Sequence, residues 1–299
     1  HGLVDRPLEF TVDDLKRFPS TTRIHFIECS GNGRSAYRTP KPTMTPQAVD
    51  GMLSTSEWTG VLLSTVFHEV GLKPSAKWFL AEGGDACKLA RSIPVSKGLD
   101  DAMIVWGQNG EPLRPEQGFP IRLLLPGWEG NTNVKWLRRI DVGTEPFMTR
   151  WETSKYTDPL PDGKIREFSF EMDAKSLITS PSYPGKLTEP GWWPVSGLAW
   201  SGRGRIARVD VSTDGGKTWD GAELVTTPVP KAPVRFQYLW NWKGDERMLM
   251  SRAIDDQGYV QPTMTELKRA RGPGTDYHFN SIRGWRVARD GGVTFEANT

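Results

Sequence analysis

The sequence predicts an α+β domain followed by a β-sandwich domain. Residues 1–157 mix helix-like and strand-like apolar patterns, whereas the chain from about residue 169 consists of short alternating runs separated by Gly and Pro. Turn signals there recur at roughly 8–12-residue spacing, which is typical of a sandwich. Because residues 158–168 are rich in turn residues, we expect one domain over 1–160 and a second over 169–299.

Local patterns place the main elements of both domains. In the first domain they predict a strand through Ile24 and Phe26 towards Cys29, a helix over 62–70 that ends at Gly71, and a buried strand over 121–125 that ends in the turn Pro126-Gly127. In the second domain they predict strands over 207–211, 234–242 and 248–254, with a turn at 214–216.

Composition excludes several classes of protein. The 299 residues carry 38 Lys and Arg against 36 Asp and Glu, so nucleic acid is not an expected partner. No apolar run approaches the ~20 residues that span a bilayer. The two cysteines, Cys29 and Cys87, exclude iron–sulfur sets, zinc ribbons and a covalently attached c-type haem in this chain. The chain starts at His1 inside a strand-like segment, so we expect a leader or upstream segment to be missing.

Two glycine-rich segments match the spacing of a dinucleotide-binding turn, at 31–36 and 202–207. Such a site needs a helix directly after the glycines. The first segment is followed by 37–42, where two prolines predict a loop, and the second leads into a strand. Neither is therefore interpreted as a nucleotide site.

The segment 212–219 resembles the Asp-box of sialidases and other β-propellers, which raises the alternative of a glycan-acting protein. A propeller needs several blades with a repeated signature, and the sequence contains one copy. A hairpin turn stabilised by Asp214 is the favoured interpretation.

The segment from Glu28 to Arg34 carries the most specific chemistry. Cys29 ends an apolar strand and enters a glycine-rich loop that holds a cation. A buried, inert cysteine is the ordinary alternative, because free cysteine is among the most buried residue types. A thiolate next to Arg34 and to loop N–H groups would instead have a lowered pKa and could bind a soft metal.

At this point the sequence resembles the sulfite oxidase family of molybdopterin oxidoreductases, whose metal-binding loop has the form Cys-x-Gly-Asn-x-Arg. The resemblance extends along nearly the whole chain, through the segments 118–122, 125–127, 133–138, 200–205, 214–219 and 261–262, together with Trp151 and Tyr156. The residues of the loop and of 39–43 are similar to those of the Sox-type subunits of thiosulfate-oxidising bacteria. The resemblance implies a molybdopterin-binding α+β domain and an immunoglobulin-like dimerisation domain.

The resemblance also implies roles for individual residues. It makes Cys29 the single protein ligand of molybdenum and assigns the substrate site to Arg34, Arg205 and Tyr156. Guanidinium groups suit sulfur oxyanions, and a phenol can donate a hydrogen bond to a metal oxo group. The cofactor-binding positions that it implies are Asp85, Ser92, Arg122 and Lys135. Gln117 departs from the family pattern, in which His is common, and the family's residues ahead of His1 are missing.

The implied activity is a two-electron oxidation of sulfur at one molybdenum-molybdopterin per chain. The expected substrate is sulfane sulfur on a carrier protein, with sulfite second, and the expected electron acceptor is a c-type cytochrome subunit in the periplasm. The C-terminal domain is expected to form a homodimer. Two other hypotheses stay open: a glycan-acting Asp-box protein, and a non-catalytic immunoglobulin-like interaction module over 169–299.

Overall fold

The structure is a computed structural model that describes residues 1–160, 162–272 and 274–297. Packing divides the chain into two compact units. The first contains His1–Ile27, Thr55–Thr157 and Glu167–Phe170, and the second contains Glu28–Ser54, Asp158–Arg166 and Glu171–Thr299. Residue 161 of the expected boundary and residues 273, 298 and 299 of the expected second domain lie outside the described residues. The domain limits 1–160 and 169–299 stay predictions.

Helices are short throughout the described residues. The α-helices are α1 (Val12–Leu15), α2 (Arg34–Arg38), α3 (Pro46–Asp50), α4 (Leu63–Val70), α5 (Val95–Asp100), α6 (Arg150–Thr153) and α7 (Met264–Arg271). Helix α4 ends at Gly71 and confirms the helix predicted over 62–70. Among the described residues, no helix has the length and apolar character that a membrane crossing requires.

The loop predicted over 37–42 was wrong at its start, because Tyr37 and Arg38 belong to helix α2. Ala36 of this helix is fully buried and joins the core of the second unit. Packing of one small apolar side chain therefore stabilises a single helical turn that has no apolar period of its own.

Strands make up most of the regular structure. In chain order they are β1 (Ser20–Glu28), β2 (Leu53–Leu62), β3 (Trp78–Gly83), β4 (Ala90–Pro94), β5 (Met103–Gln108), β6 (Glu111–Pro112), β7 (Arg122–Leu124), β8 (Leu137–Gly143), β9 (Asp158–Pro159), β10 (Ile165–Arg166), β11 (Lys175–Ser180), β12 (Gly191–Trp200), β13 (Ile206–Ser212), β14 (Asp220–Gly221), β15 (Glu223–Leu224), β16 (Val234–Trp242), β17 (Arg247–Asp255), β18 (Arg283–Val287) and β19 (Val293–Glu296). The predicted strands near 24–28, 121–125, 207–211, 234–242 and 248–254 are confirmed.

The first unit contains two sheets. One has the order β1-β2-β5-β6 with β7 paired to β5, and the other has the order β4-β3-β8. Helix α4 packs into the same apolar core as the second sheet, through Leu63, Phe67 and the ring of Phe79. Helices beside two sheets confirm the predicted α+β class.

The second unit contains a β-sandwich, as predicted. Its sheets have the orders β11-β12-β16-β15 and β14-β13-β17-β18-β19, and their facing side chains form one core. Met44 and Val49, from the segment that follows Cys29, are buried in this core. That packing explains why residues 28–54 group with the sandwich although they follow β1 in the chain.

The turn at 214–216 confirms the hairpin interpretation of the Asp-box segment. Strands β13 and β14 pair on either side of it. The Asp214 carboxylate accepts hydrogen bonds from the backbone N–H groups of Lys217 and Thr218 at 3.0 Å each and from the Thr218 hydroxyl at 2.6 Å. The signature is thus accounted for by local turn geometry.

Candidate functional site

The Cys29 loop lies in the second unit directly after β1. The thiol is exposed and free, and so is that of Cys87. The Cys29 N–H donates to the Met52 carbonyl at 3.0 Å, and the carbonyl of Cys29 accepts from the Asn32 N–H at 2.9 Å. The Ser30 carbonyl accepts from the His278 N–H at 2.7 Å. Backbone bonds on both sides therefore hold the thiol at the surface of a fixed loop.

Arg34 and the Cys29 thiol both border Gly31, and a role for Arg34 in the site stays a prediction. A methyl group built on Gly31 would lie 3.4 Å from Nη2 of Arg34 and 3.8 Å from Sγ of Cys29. The guanidinium donates through Nε and Nη2 to the Asp276 carbonyl at 3.1 and 2.7 Å and lies over the Tyr277 ring. The cation is thus oriented by Asp276 while its side chain stays partly exposed. The loop therefore presents an accessible sulfur and a partly exposed cation.

Arg205 belongs to the same unit and lies just before β13. Its Nε is 3.3 Å from Oδ2 of Asp256, and more than half of its side chain is exposed. Arg203 pairs instead with Asp173, at 2.8 Å. The convergence of Arg205 with Cys29 and Arg34 stays a prediction, as does the role of Tyr156, which belongs to the first unit.

In the first unit, three of the four expected cofactor residues lie around neighbouring turns. Arg122 donates to the carbonyls of Gln117 and Asn133 at 3.1 and 2.9 Å, and Lys135 donates to the Glu116 carbonyl at 2.9 Å. The segment of Lys135 is also bonded to the turn of Asp85. The Gly84 N–H, next to Asp85, donates to the carbonyl of Trp136, next to Lys135, at 2.8 Å. Gln117 contacts Arg122 through its backbone, so its departure from the family pattern leaves this bond intact.

Asp85 and Arg122 differ in environment. The Asp85 carboxylate accepts hydrogen bonds from the Leu89 N–H and from the Cys87 thiol. The bond between the thiol and Asp85 raises the pKa of Cys87. Arg122 is buried, and the loss of hydration lowers its pKa to about 10. Its Nε is a buried donor with no hydrogen-bond partner among the described residues. A buried donor left unpaired is costly, which indicates a polar acceptor at this position.

Ser92 occupies a different place. It is fully buried in β4, where its hydroxyl donates to Oε2 of Glu152 at 2.9 Å and accepts from the Phe147 N–H at 2.9 Å. Arg91, next to it, contacts Glu129 and Glu152 at 3.3 and 3.4 Å. The Arg91 guanidinium lies 5.2 Å from the ring centre of Tyr156. Sequence patterns missed this cluster, because its partners are far apart in the chain.

Each unit, taken by itself, offers groups that fit part of a soft metal carried by an organic group with acidic and polar edges. Cys29 offers one accessible sulfur, and soft thiolate ligands select soft metals. Arg122 offers a buried donor without a partner, and Lys135 offers a cation at the surface of the same unit. Within the described residues, no group of three or more His, Cys, Asp or Glu side chains could hold a metal ion.

Comparison with known protein families gives two matches that together span most of the chain. Residues 1–151 match the family described as "Oxidoreductase molybdopterin binding domain", and residues 166–283 match "Mo-co oxidoreductase dimerisation domain". Both matches agree with the division of the sequence into a cofactor-binding part and a sandwich.

Individual relatives agree with these matches. Mitochondrial sulfite oxidase of Mus musculus is 32% identical over 289 residues, which cover 89% of this chain and 53% of that protein. NADH nitrate reductase of Ulva prolifera is 32% identical and is matched over 81% of this chain and 31% of its own length. The chain thus spans about half of this sulfite oxidase and about a third of this nitrate reductase.

A solved structure covers nearly the whole fold. The crystal structure of the sulfane dehydrogenase SoxCD from Paracoccus pantotrophus matches with a TM-score of 0.93 and 48% sequence identity, over 98% of this chain and 76% of that one.

Proposed function

The chain belongs to the sulfite oxidase family of molybdopterin oxidoreductases, and from this we infer that it binds one molybdenum-molybdopterin through Cys29 and oxidises sulfur compounds. The observation that carries the proposal is the free, exposed Cys29 thiol on a fixed loop beside Arg34. The alternative of a glycan-acting protein is not favoured, because family matches span 1–151 and 166–283 and the Asp-box segment is a hairpin turn.

Each residue has a defined task in this proposal. Arg122 and Lys135 would neutralise the acidic group of the cofactor, and Asp85 would accept hydrogen bonds from its polar edge. When bound, the cofactor supplies the two-electron chemistry. Arg34 and Arg205 would attract and orient a sulfur oxyanion, and the Tyr156 phenol would hydrogen-bond the reacting group. Ser92, being buried, would act through Glu152 by holding the cofactor-binding unit in shape.

We propose sulfane sulfur on a carrier protein as the substrate and sulfite as the second choice. The 48% identity to the SoxCD sulfane dehydrogenase, over 98% of this chain, supports that order. Since the chain has no C-x-x-C-H haem attachment segment, the electrons would leave to a separate carrier, and the likeness to Sox-type proteins makes that carrier a c-type cytochrome subunit. A periplasmic location follows from the same likeness and is part of the proposal.

Elemental analysis and one pair of variants test the function. Purified protein should contain about one molybdenum per chain, since one cysteine serves as ligand. Cys29→Ser should lose the metal, and its rate of sulfur oxidation should fall by at least ~100-fold. Removal of a residue that merely hydrogen-bonds a metal ligand can already cost that much. Cys87→Ser is the matched control, because serine keeps a donor for Asp85 and should retain both. Full metal content and full activity in Cys29→Ser would remove the proposal and favour a non-catalytic module.

We also propose that the sandwich forms a homodimer through the outer face of its four-stranded sheet. Trp192 and Leu239 are 64% and 59% exposed, and Leu239 pairs with Pro194, two residues from Trp192 on the same face. Strands β12 and β16, which carry them, lie within the matched dimerisation domain. Trp192→Arg should reduce the mass measured by light scattering towards one chain. An unchanged dimer mass would exclude this face.

A further inference from the structure

Four charged side chains are buried directly beneath the Cys29 loop: Glu28, Asp50, Lys175 and Arg283, which we call the loop cluster. None is more than 4% exposed. The Lys175 ammonium lies 2.8 Å from Oε1 of Glu28 and 3.1 Å from Oδ1 of Asp50. Arg283 Nε lies 3.7 Å from Oδ2 of Asp50. Two cations face two carboxylates, so the loop cluster is balanced in charge.

The loop cluster forms hydrogen bonds to both ends of the Cys29 loop. Glu28 directly precedes Cys29, and its Oε2 accepts from the Trp200 indole at 2.7 Å. At the other end, the Asn32 side chain donates to Glu28 at 2.9 Å, and the Asn32 carbonyl accepts from Lys175 at 3.3 Å. Lys175 is therefore bonded to the residue before Cys29 and to the backbone three residues after it.

Gly33 lets the loop backbone approach the loop cluster closely. Its φ is +93°, and a Cβ there would lie 2.7 Å from Oδ1 of Asp50 and 2.9 Å from Nη2 of Arg283. Only glycine allows the loop backbone to turn this close to the loop cluster. The Met52 N–H also donates to the Asn32 side-chain oxygen at 2.9 Å, beside the bond from Cys29 N–H to the Met52 carbonyl.

Stability alone does not account for this arrangement. Removing four charges from water is costly, and well-packed apolar side chains of similar volume are often as stable or more stable. Burial opposes the charge of Lys175, but the carboxylates of Asp50 and Glu28 outweigh it and raise the pKa of Lys175 above its usual value. Its charge persists, and it is directed at the loop that carries the metal ligand.

We propose that Lys175 is a positioning residue for Cys29, which fixes the thiol by tying Glu28 and the Asn32 carbonyl to the sandwich. Its effect on the metal rests on the proposed function, whereas its effect on the loop does not. Lys175 lies in β11, far from the Cys29 loop in sequence.

Hydrogen exchange of the full chain tests the effect on the loop. In Lys175→Met, the amides of 29–34 should exchange at least about 10–100-fold faster, the change expected for loss of even one of the three charge-assisted hydrogen bonds that Lys175 donates. The matched control is Arg252→Met, which removes a cation from Asp210 in the same unit, where Arg208 also pairs. It should leave the loop at the wild-type rate.

Two outcomes would overturn the proposal. One is acceleration that is equal throughout the second unit, which would make Lys175 merely a stabilising residue. The other is an unchanged loop. If Lys175→Met does not fold, Glu28→Gln replaces it, since Lys175 then keeps Asp50 as a partner; a wild-type loop rate in Glu28→Gln would overturn the proposal equally.

The metal-loaded enzyme provides a separate readout. Lys175→Met should change the EPR spectrum of molybdenum(V) and lower kcat with little change in KM, because the ligand moves while the substrate-binding guanidinium groups remain. A wild-type spectrum together with a wild-type kcat would overturn the effect on the metal. Failure of the proposed function is distinguishable, because Cys29→Ser would then retain activity while the loop of Lys175→Met still exchanged faster.

Discussion

The two units bury carboxylates in different ways. In the second unit, Glu28 and Asp50 face Lys175 and Arg283, so that charge meets charge. In the first unit, Arg91 is the cation beside both Glu129 and Glu152, and its Nη1 has no hydrogen-bond partner among the described residues. Glu152 relies mainly on neutral donors. A carboxylate can thus be kept in a core by opposite charge or by convergent dipoles.

Glu152 shows how the second solution works. It accepts from the backbone N–H and hydroxyl of Ser92 and from the N–H of Thr149, where it completes the capping box of α6. These donors join β4 to α6, which precedes Tyr156 by a few residues. The loop cluster, in comparison, joins segments more than 100 residues apart, since Lys175 and Glu28 are separated by 147 positions. Opposite charges thus fix the Cys29 loop to a strand distant in sequence, whereas the neutral donors around Glu152 fix β4 to α6.

The largest effect is expected for Arg91→Met. It leaves Glu129 and Glu152 buried without the cation that both contact, and breaking a buried pair typically costs about 3–5 kcal/mol. Urea unfolding monitored by tryptophan fluorescence measures the change. Arg139→Met is the control, because its pair with Glu82 is partly exposed and should contribute less than about 1 kcal/mol.

A small loss in Arg91→Met, equal to that of the control, would mean that neutral donors alone support both carboxylates. That outcome would sharpen the distinction between the two clusters, whereas a loss of about 3–5 kcal/mol would show that the first unit also depends on its buried cation.

Local patterns in the sequence predicted the elements well. Strand β16 was predicted over its full length, and helix α4 with its Gly71 end was predicted within one residue, because both depend on apolar periodicity and a terminal glycine. Helix α2 was missed because one buried alanine, Ala36, stabilises it through tertiary packing. No local signal could show that packing.

The site was predictable only in part. The Cys29 loop was found because its residues are contiguous, and Arg34 and the thiol both border Gly31. Lys175 in strand β11 and Asp50 in helix α3 could not be found, since an isolated charged residue in either element is expected at the surface. Their partners lie 125 or more positions away. The same limit applies to Arg205 and Tyr156, whose roles depend on tertiary structure and stay predictions.

The smallest effect is expected at Asp214, a half-buried carboxylate that, like Glu152, accepts hydrogen bonds mainly from neutral donors. Hydrogen bonds from Thr218 and Ser212 hold the pKa of Asp214 well below its usual 3.8. A carboxyl group whose pKa is lowered by folding stabilises the fold above its unfolded pKa, and this contribution is lost as pH falls towards the lower folded value. Asp214→Asn should therefore lower Tm slightly at pH 7, and the difference from wild type should shrink below about pH 4. Thermal scans of both proteins at pH 7 and pH 3 measure it. A difference that stays constant across this range would show that the amide loses turn geometry rather than charge, and Asp214 would no longer serve as the half-buried counterpart of Glu152.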